Sequence, residues 1–160
     1  MENLSRFTGK VMKKILFTAI LSLGLLISAH AQTVSGSVGT ATRGDATRGT
    51  ITLSIPGGLH VNSNRPNSQF AIPTNVKISA VGAKIGAISY PRGKNRKFQF
   101  SEDTLNIYEG TVSFPFTLTV PANFKGNVIK VRAVVRFQAC SEEVCYPPKT
   151  KEVTLTARLK

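Results

Sequence analysis

The sequence is short of most residues that carry chemistry. It has no tryptophan, two cysteines and two histidines, and its 8 acidic residues face 21 Lys and Arg. Outside the N-terminal region His60 is the single histidine. Two thiols and one imidazole cannot supply the four ligands of a closed zinc site, so no metal is expected. No grouping of serine, histidine and carboxylate suggests hydrolysis. No glycine-rich loop leads into a helix to hold phosphate, so no cofactor is expected. A sustained 3.6-residue apolar period is also missing beyond the N-terminal region, which argues against a helical fold. The apolar run Ile15–Ile27 is shorter than the roughly 20 residues a membrane-spanning helix needs.

That run has a different reading. Lys13 and Lys14 precede it, and Ala29-His30-Ala31 follows with small residues at the positions a signal peptidase reads. Basic, apolar and small segments in this order predict a secretory signal peptide over residues 1–31, cleaved before Gln32. Stable membrane insertion after cleavage is not expected. Residues 32–160 keep 17 basic and 7 acidic residues, a net of +10. The basic residues are scattered, apart from a local cluster of Arg92, Lys94, Arg96 and Lys97. An exported protein seldom meets nucleic acid as a substrate, so the charge is read as solubility and partner steering.

The remainder reads as strands. Val112, Phe114, Phe116, Leu118 and Val120 alternate with polar residues or proline, and Ile129–Phe137 and Val153–Leu159 repeat the pattern. Period-two alternation turns one face to a core and the other to water. Shorter candidates are Thr50–Ile55, Leu59–Asn62, Val76–Val81 and Ile85–Tyr90, separated by Gly, Pro and Asn turn signals. Pro115 within a strand pattern predicts an edge position or a bulge. About seven short strands of this kind predict an all-β fold, an immunoglobulin-like antiparallel β-sandwich with Val128–Phe137 central. Gln32–Gly49, rich in Gly, Ser, Thr and Ala, is expected to be a flexible N-terminal segment with at most one early strand.

Chemistry concentrates in Gln138-Ala139-Cys140-Ser141-Glu142-Glu143-Val144-Cys145-Tyr146-Pro147-Pro148. In an oxidising compartment the two cysteines can pair. A bridge closing so short a loop removes little chain entropy, so its stabilising value is small. Spacing alone leaves two readings open: a structural disulfide in a non-catalytic secreted binding sandwich, or a pair that opens and closes by thiolate attack through a mixed disulfide. Glu142 and Glu143 would raise a nearby thiol pKa by like-charge repulsion. Tyr146 is expected to pack on the loop and fix its exit. His60, beside an apolar strand, is expected to be a satisfied or exposed histidine.

The block Phe137-Gln138-Ala139-Cys140 with Cys145-Tyr146-Pro147-Pro148 resembles the N-terminal periplasmic domain of the thiol:disulfide interchange protein DsbD. Leu59–Pro66, Tyr90-Pro91, Tyr108-Glu109-Gly110 and Thr117–Val120 are similar in the same order. The resemblance covers about residues 50–159, placing the domain at 50–160. It implies an immunoglobulin-like sandwich whose cysteine pair passes reducing equivalents to or from thioredoxin-like or other periplasmic thiol proteins. It implies that Cys145 forms the mixed disulfide and Cys140 resolves it. It also implies a cap loop with an aromatic residue over the cysteines, for which Phe98 and Phe100 are the candidates, with core packing the alternative for both. The family protein continues into a membrane domain and a thioredoxin-like domain. This sequence ends at Lys160, so its electrons are expected to come from a separate protein, unless the domain has another use.

Overall fold

Alternating side chains build this molecule from strands alone. The structure, a computed structural model, describes residues 31–160, and these hold eleven strands and no helix. The predicted signal peptide lies outside the described residues except for Ala31. One sheet has the order β1 (Thr33–Val38), β2 (Ala46–Ser54), β8 (Thr111–Thr119) and β5 (Lys84–Ile85). A second has the order β11 (Lys149–Arg158), β9 (Val128–Phe137) and β4 (Asn75–Ala80), so the predicted Val128–Phe137 strand is central. Every strand pair is antiparallel. The inward faces of these two sheets form one core, with Ile51, Leu53, Phe114 and Leu118 from the first and Ile129, Val131, Val135 and Phe137 from the second all at most 2% exposed. Each such burial stabilises by about 1.5–3 kcal/mol over exposure. The fold is the predicted immunoglobulin-like antiparallel sandwich.

Pro115 occupies the edge position expected of it. It pairs with Thr50 of β2, but on its other side β5 has already ended at Ile85. There the carbonyl of Pro115 accepts from the Ser89 amide at 2.8 Å. Amide and carbonyl of one strand residue point to the same side, so the missing N–H of Pro115 faces a loop rather than a ladder. The predicted strand Ile85–Tyr90 is accordingly cut to Lys84–Ile85.

Residues 32–49 differ from the flexible segment expected. Thr33–Val38 pairs along its whole length with Gly49–Ser54, and Ala46–Gly49 extends β2. Past β1 the chain crosses to the other sheet, where Ala41 bridges Leu159 and its amide donates to the Arg158 carbonyl at 2.8 Å. The guanidinium of Arg43 donates to the carbonyls of Phe124, Gly126 and Lys160 at 2.7–3.0 Å. Small residues concealed this strand. A Cβ on Gly36 would come within 2.6 Å of the Thr50 carbonyl, and one on Gly49 within 2.3 Å of the Phe116 ring. The glycines that weakened the pattern are the ones that admit the neighbouring strand and ring.

A third sheet was not anticipated. It has the order β10 (Ala139–Cys140), β3 (His60–Asn62), β7 (Thr104–Tyr108) and β6 (Lys94–Lys97). A small cluster of Phe98, Leu105 and Ile107 lies beside it, separate from the main core. This sheet carries the cysteines.

Candidate functional site

The cysteine loop is a tight hairpin built on Ser141. Its amide donates to the Val144 carbonyl at 2.8 Å, and its hydroxyl oxygen accepts from the Glu143 and Val144 amides at 3.2 and 3.1 Å. A serine hydroxyl that accepts from nearby amides favours turns over continued strand. The turn sets Cys145 directly across from Cys140, and the two form a disulfide with S–S 2.03 Å and Cα–Cα 4.0 Å. That is closer than the usual 5.5–6 Å, because the cysteines are direct cross-strand partners. Tyr146 fixes the exit through its backbone: its amide donates to the Ala139 carbonyl at 2.8 Å, while the residue remains 43% exposed.

The two sulfurs have different surroundings. Cys140 sits on β10 between Cys145 and β3 and is fully buried. Cys145 is partly exposed and lines an open cavity of about 500 Å³ together with Asn62, Gln138, Phe70, Phe100 and Asp103. Gln138 ties this wall together: its side-chain oxygen accepts from Asn62 Nδ2 at 3.2 Å, and its Nε2 donates to the Tyr146 carbonyl at 3.2 Å.

Phe98 and Phe100 occupy different environments, although two residues apart. Phe98 is 3% exposed and stacks on His60 with ring centroids 4.2 Å apart. Phe100 is 38% exposed, stacks on Phe98 at 5.2 Å and reaches the cavity that Cys145 lines. Core packing therefore accounts for Phe98, while Phe100 lines the same cavity as Cys145. Arg96 links the pieces. Its guanidinium lies 5.1 Å from the Phe98 ring centroid, 2.6 Å from Glu109 and 3.1 Å from Glu142, between the two cysteines. The Glu142 carboxylate is thus partly neutralised rather than left to act freely on the sulfurs. The Glu109 carboxyl is held below its ordinary range, chiefly by its hydrogen bond from Arg96.

His60 is neither satisfied nor exposed, contrary to the sequence reading. It is 1% exposed, it faces Cys140 in the β10–β3 register, and its Nε2 has no hydrogen-bond partner. Burial is the main cause pushing its pKa below 6.5; the Glu142 charge opposes this. Sequence reasoning placed Gln138 in the cysteine block but missed Asn62 and Arg96 as members of the site. Asn62 stands in a segment that carries the DsbD resemblance and Arg96 in the basic cluster; those were the available signals. Among the described residues, no group of three or more His, Cys, Asp and Glu gathers at metal-binding range.

The family model described as "Thiol:disulfide interchange protein DsbD, N-terminal" matches residues 31–157. No curated protein sequence matches the chain. Among solved structures, the N-terminal periplasmic domain of ScsB from Proteus mirabilis superposes with a TM-score of 0.55 at 11% identity. The superposition covers 83% of this chain and 48% of that one, so this chain spans about half of its relative's length. AggA, the major subunit of aggregative adherence fimbriae type I from Escherichia coli, aligns with a TM-score of 0.37 at 9% identity, over 81% of this chain and 95% of that one.

Proposed function

The chain belongs to the family of DsbD N-terminal domains, and on that premise we propose that it is a periplasmic thiol–disulfide exchange module. It passes reducing equivalents to or from thioredoxin-like or other thiol proteins, with Cys145 the exchanging sulfur and Cys140 the resolving one. The observation that carries this reading is the difference in access between the two sulfurs of one disulfide: Cys140 is fully buried and Cys145 lines an open cavity. Exchange needs one sulfur that an incoming thiolate can reach and a neighbour that can displace the partner afterwards.

In the reducing direction, a partner thiolate attacks Cys145 Sγ. A partner–Cys145 disulfide forms, the Cys140–Cys145 bond breaks, and Cys140 leaves with the electron pair. The partner's second thiolate then attacks its own sulfur and releases Cys145. Two electrons and two protons pass to the pair, and the partner dithiol becomes a disulfide. Phe100, in the wall of the cavity, is the residue proposed to restrict access to Cys145, and Arg96 ties the strand before it to the cysteine loop.

Trapping tests the assignment. Cys140→Ser removes the resolving thiol and should accumulate a covalent adduct with an oxidised thioredoxin-like partner, read by mass spectrometry; Cys145→Ser should not. Adducts on Cys145→Ser alone would reverse the roles. Adducts on neither, with a pair potential below about −300 mV, would leave a structural bridge; a potential of about −180 to −270 mV agrees with exchange.

A further inference from the structure

Among the described residues, two buried side-chain polar atoms have no hydrogen-bond partner: His60 Nε2 and Asn62 Oδ1. Both belong to β3, the strand paired with the one that carries Cys140. Buried polar groups are paired in the great majority of cases, so two exceptions two residues apart, beside a disulfide, call for a physical reason. Residues i and i+2 of a strand share a face, and residues opposite each other in an antiparallel pair do too. His60, Asn62 and Cys140 therefore lie on one face of the small sheet, and Asn62 also lines the cavity that Cys145 reaches.

A disulfide sulfur is a poor hydrogen-bonding group, whereas a thiolate is a strong acceptor and a thiol can donate. The oxidised pair thus offers the polar groups of β3 no strong partner, whereas a reduced pair carries sulfurs able to accept or donate a hydrogen bond. We propose that His60 is a positioning residue for the redox pair: its N–H donates a hydrogen bond to the Cys140 sulfur once the disulfide opens, stabilising the reduced form. The ring remains neutral and keeps its proton. It stabilises the electron pair that Cys140 carries away when a partner dithiol attacks Cys145, and the proton that finally neutralises Cys140 comes from the partner thiols through solvent. The stack on Phe98 holds the imidazole plane. The consequence is a more oxidising pair than the same loop would give without His60.

This inference rests on the exchange reading, and the test separates the two. The purified protein is equilibrated with reduced and oxidised glutathione, and the fraction reduced is measured. Whether the wild-type pair exchanges with glutathione tests the function; the difference between variants tests His60. His60→Phe keeps an aromatic ring for Phe98 and removes the donor. It should shift the equilibrium about tenfold toward the disulfide, equivalent to about 30 mV. His60→Gln, which retains a donor, should recover most of that shift. No shift in His60→Phe, or an equal shift in both variants, overturns the proposal, since packing alone would then suffice. Should the Phe variant fail to fold, nitrogen NMR of the wild-type imidazole decides. Its Nε2 resonance should move on reduction of the disulfide, and an unchanged resonance overturns the proposal.

Discussion

Arg96 reaches from β6 to Glu142, with its guanidinium nitrogen 3.1 Å from the carboxylate oxygen, and so ties the strand before Phe98 and Phe100 to the loop between the cysteines. Both side chains are substantially solvent-accessible, so the pair adds little to global stability. Its effect is local. Glu142→Ala, which leaves the Arg96–Glu109 pair and the Phe98 contact intact, should leave the melting temperature nearly unchanged and speed reduction of the disulfide by a small thiol. Raised salt should speed the wild type in the same direction by screening the pair. Stopped-flow reduction rates at two ionic strengths check this; a variant as slow as wild type removes the tie from the mechanism.

The two phenylalanines should separate cleanly under mutation. Phe98→Ala empties a buried position stacked on His60 and should cost about 3 kcal/mol in chemical denaturation. Phe100→Ala removes a partly exposed ring and should cost well under half as much. It should nevertheless expose Cys145 and accelerate reduction. Equal losses of stability in the two variants would contradict their different burial.

His60 makes stability depend on pH. Its folded pKa lies below 6.5, so the unfolded chain binds more protons as pH falls through that value. The contribution is fully present above about pH 6.5 and is lost as pH drops toward the folded pKa. Glu142 on the cysteine loop and Glu109 before β8 favour the charged ring, while Arg96 on β6 opposes it together with burial. Melting temperature should therefore fall between pH 7 and pH 5, and His60→Phe should flatten that slope. An unchanged slope would mean that His60 is not the titrating group.

Gly49 lies against the ring of Phe116 in the neighbouring strand, where a Cβ would come within 2.3 Å of the ring carbons. Phe116 is 3% exposed and has little room to yield. Gly49→Val should destabilise by about 1–3 kcal/mol despite the better strand propensity of valine. Urea denaturation of the variant measures it; a neutral result would show that the ring can move aside.

Local pattern was enough to reveal the sandwich and the cysteine pair. Strict alternation along β8, β9 and β11 places Phe114, Val131 and Leu155 on buried faces, because a strand with a period of two has no other way to hide them. The order of turns and the block around Cys140 and Cys145 were equally visible, since both depend on neighbours in the chain. Tertiary structure decided what depends on contact between distant segments. Thr33–Val38 was concealed as a strand because Gly36, which its pairing requires, carries no apolar signal. His60 became a buried neighbour of Cys140 only through the pairing of β3 with β10, nearly half the chain apart. Arg96 met Glu142 in the same way. A sequence gives each residue's propensity and period, but the partner across a sheet is chosen by global packing, and that partner sets the burial and charge around the sulfurs.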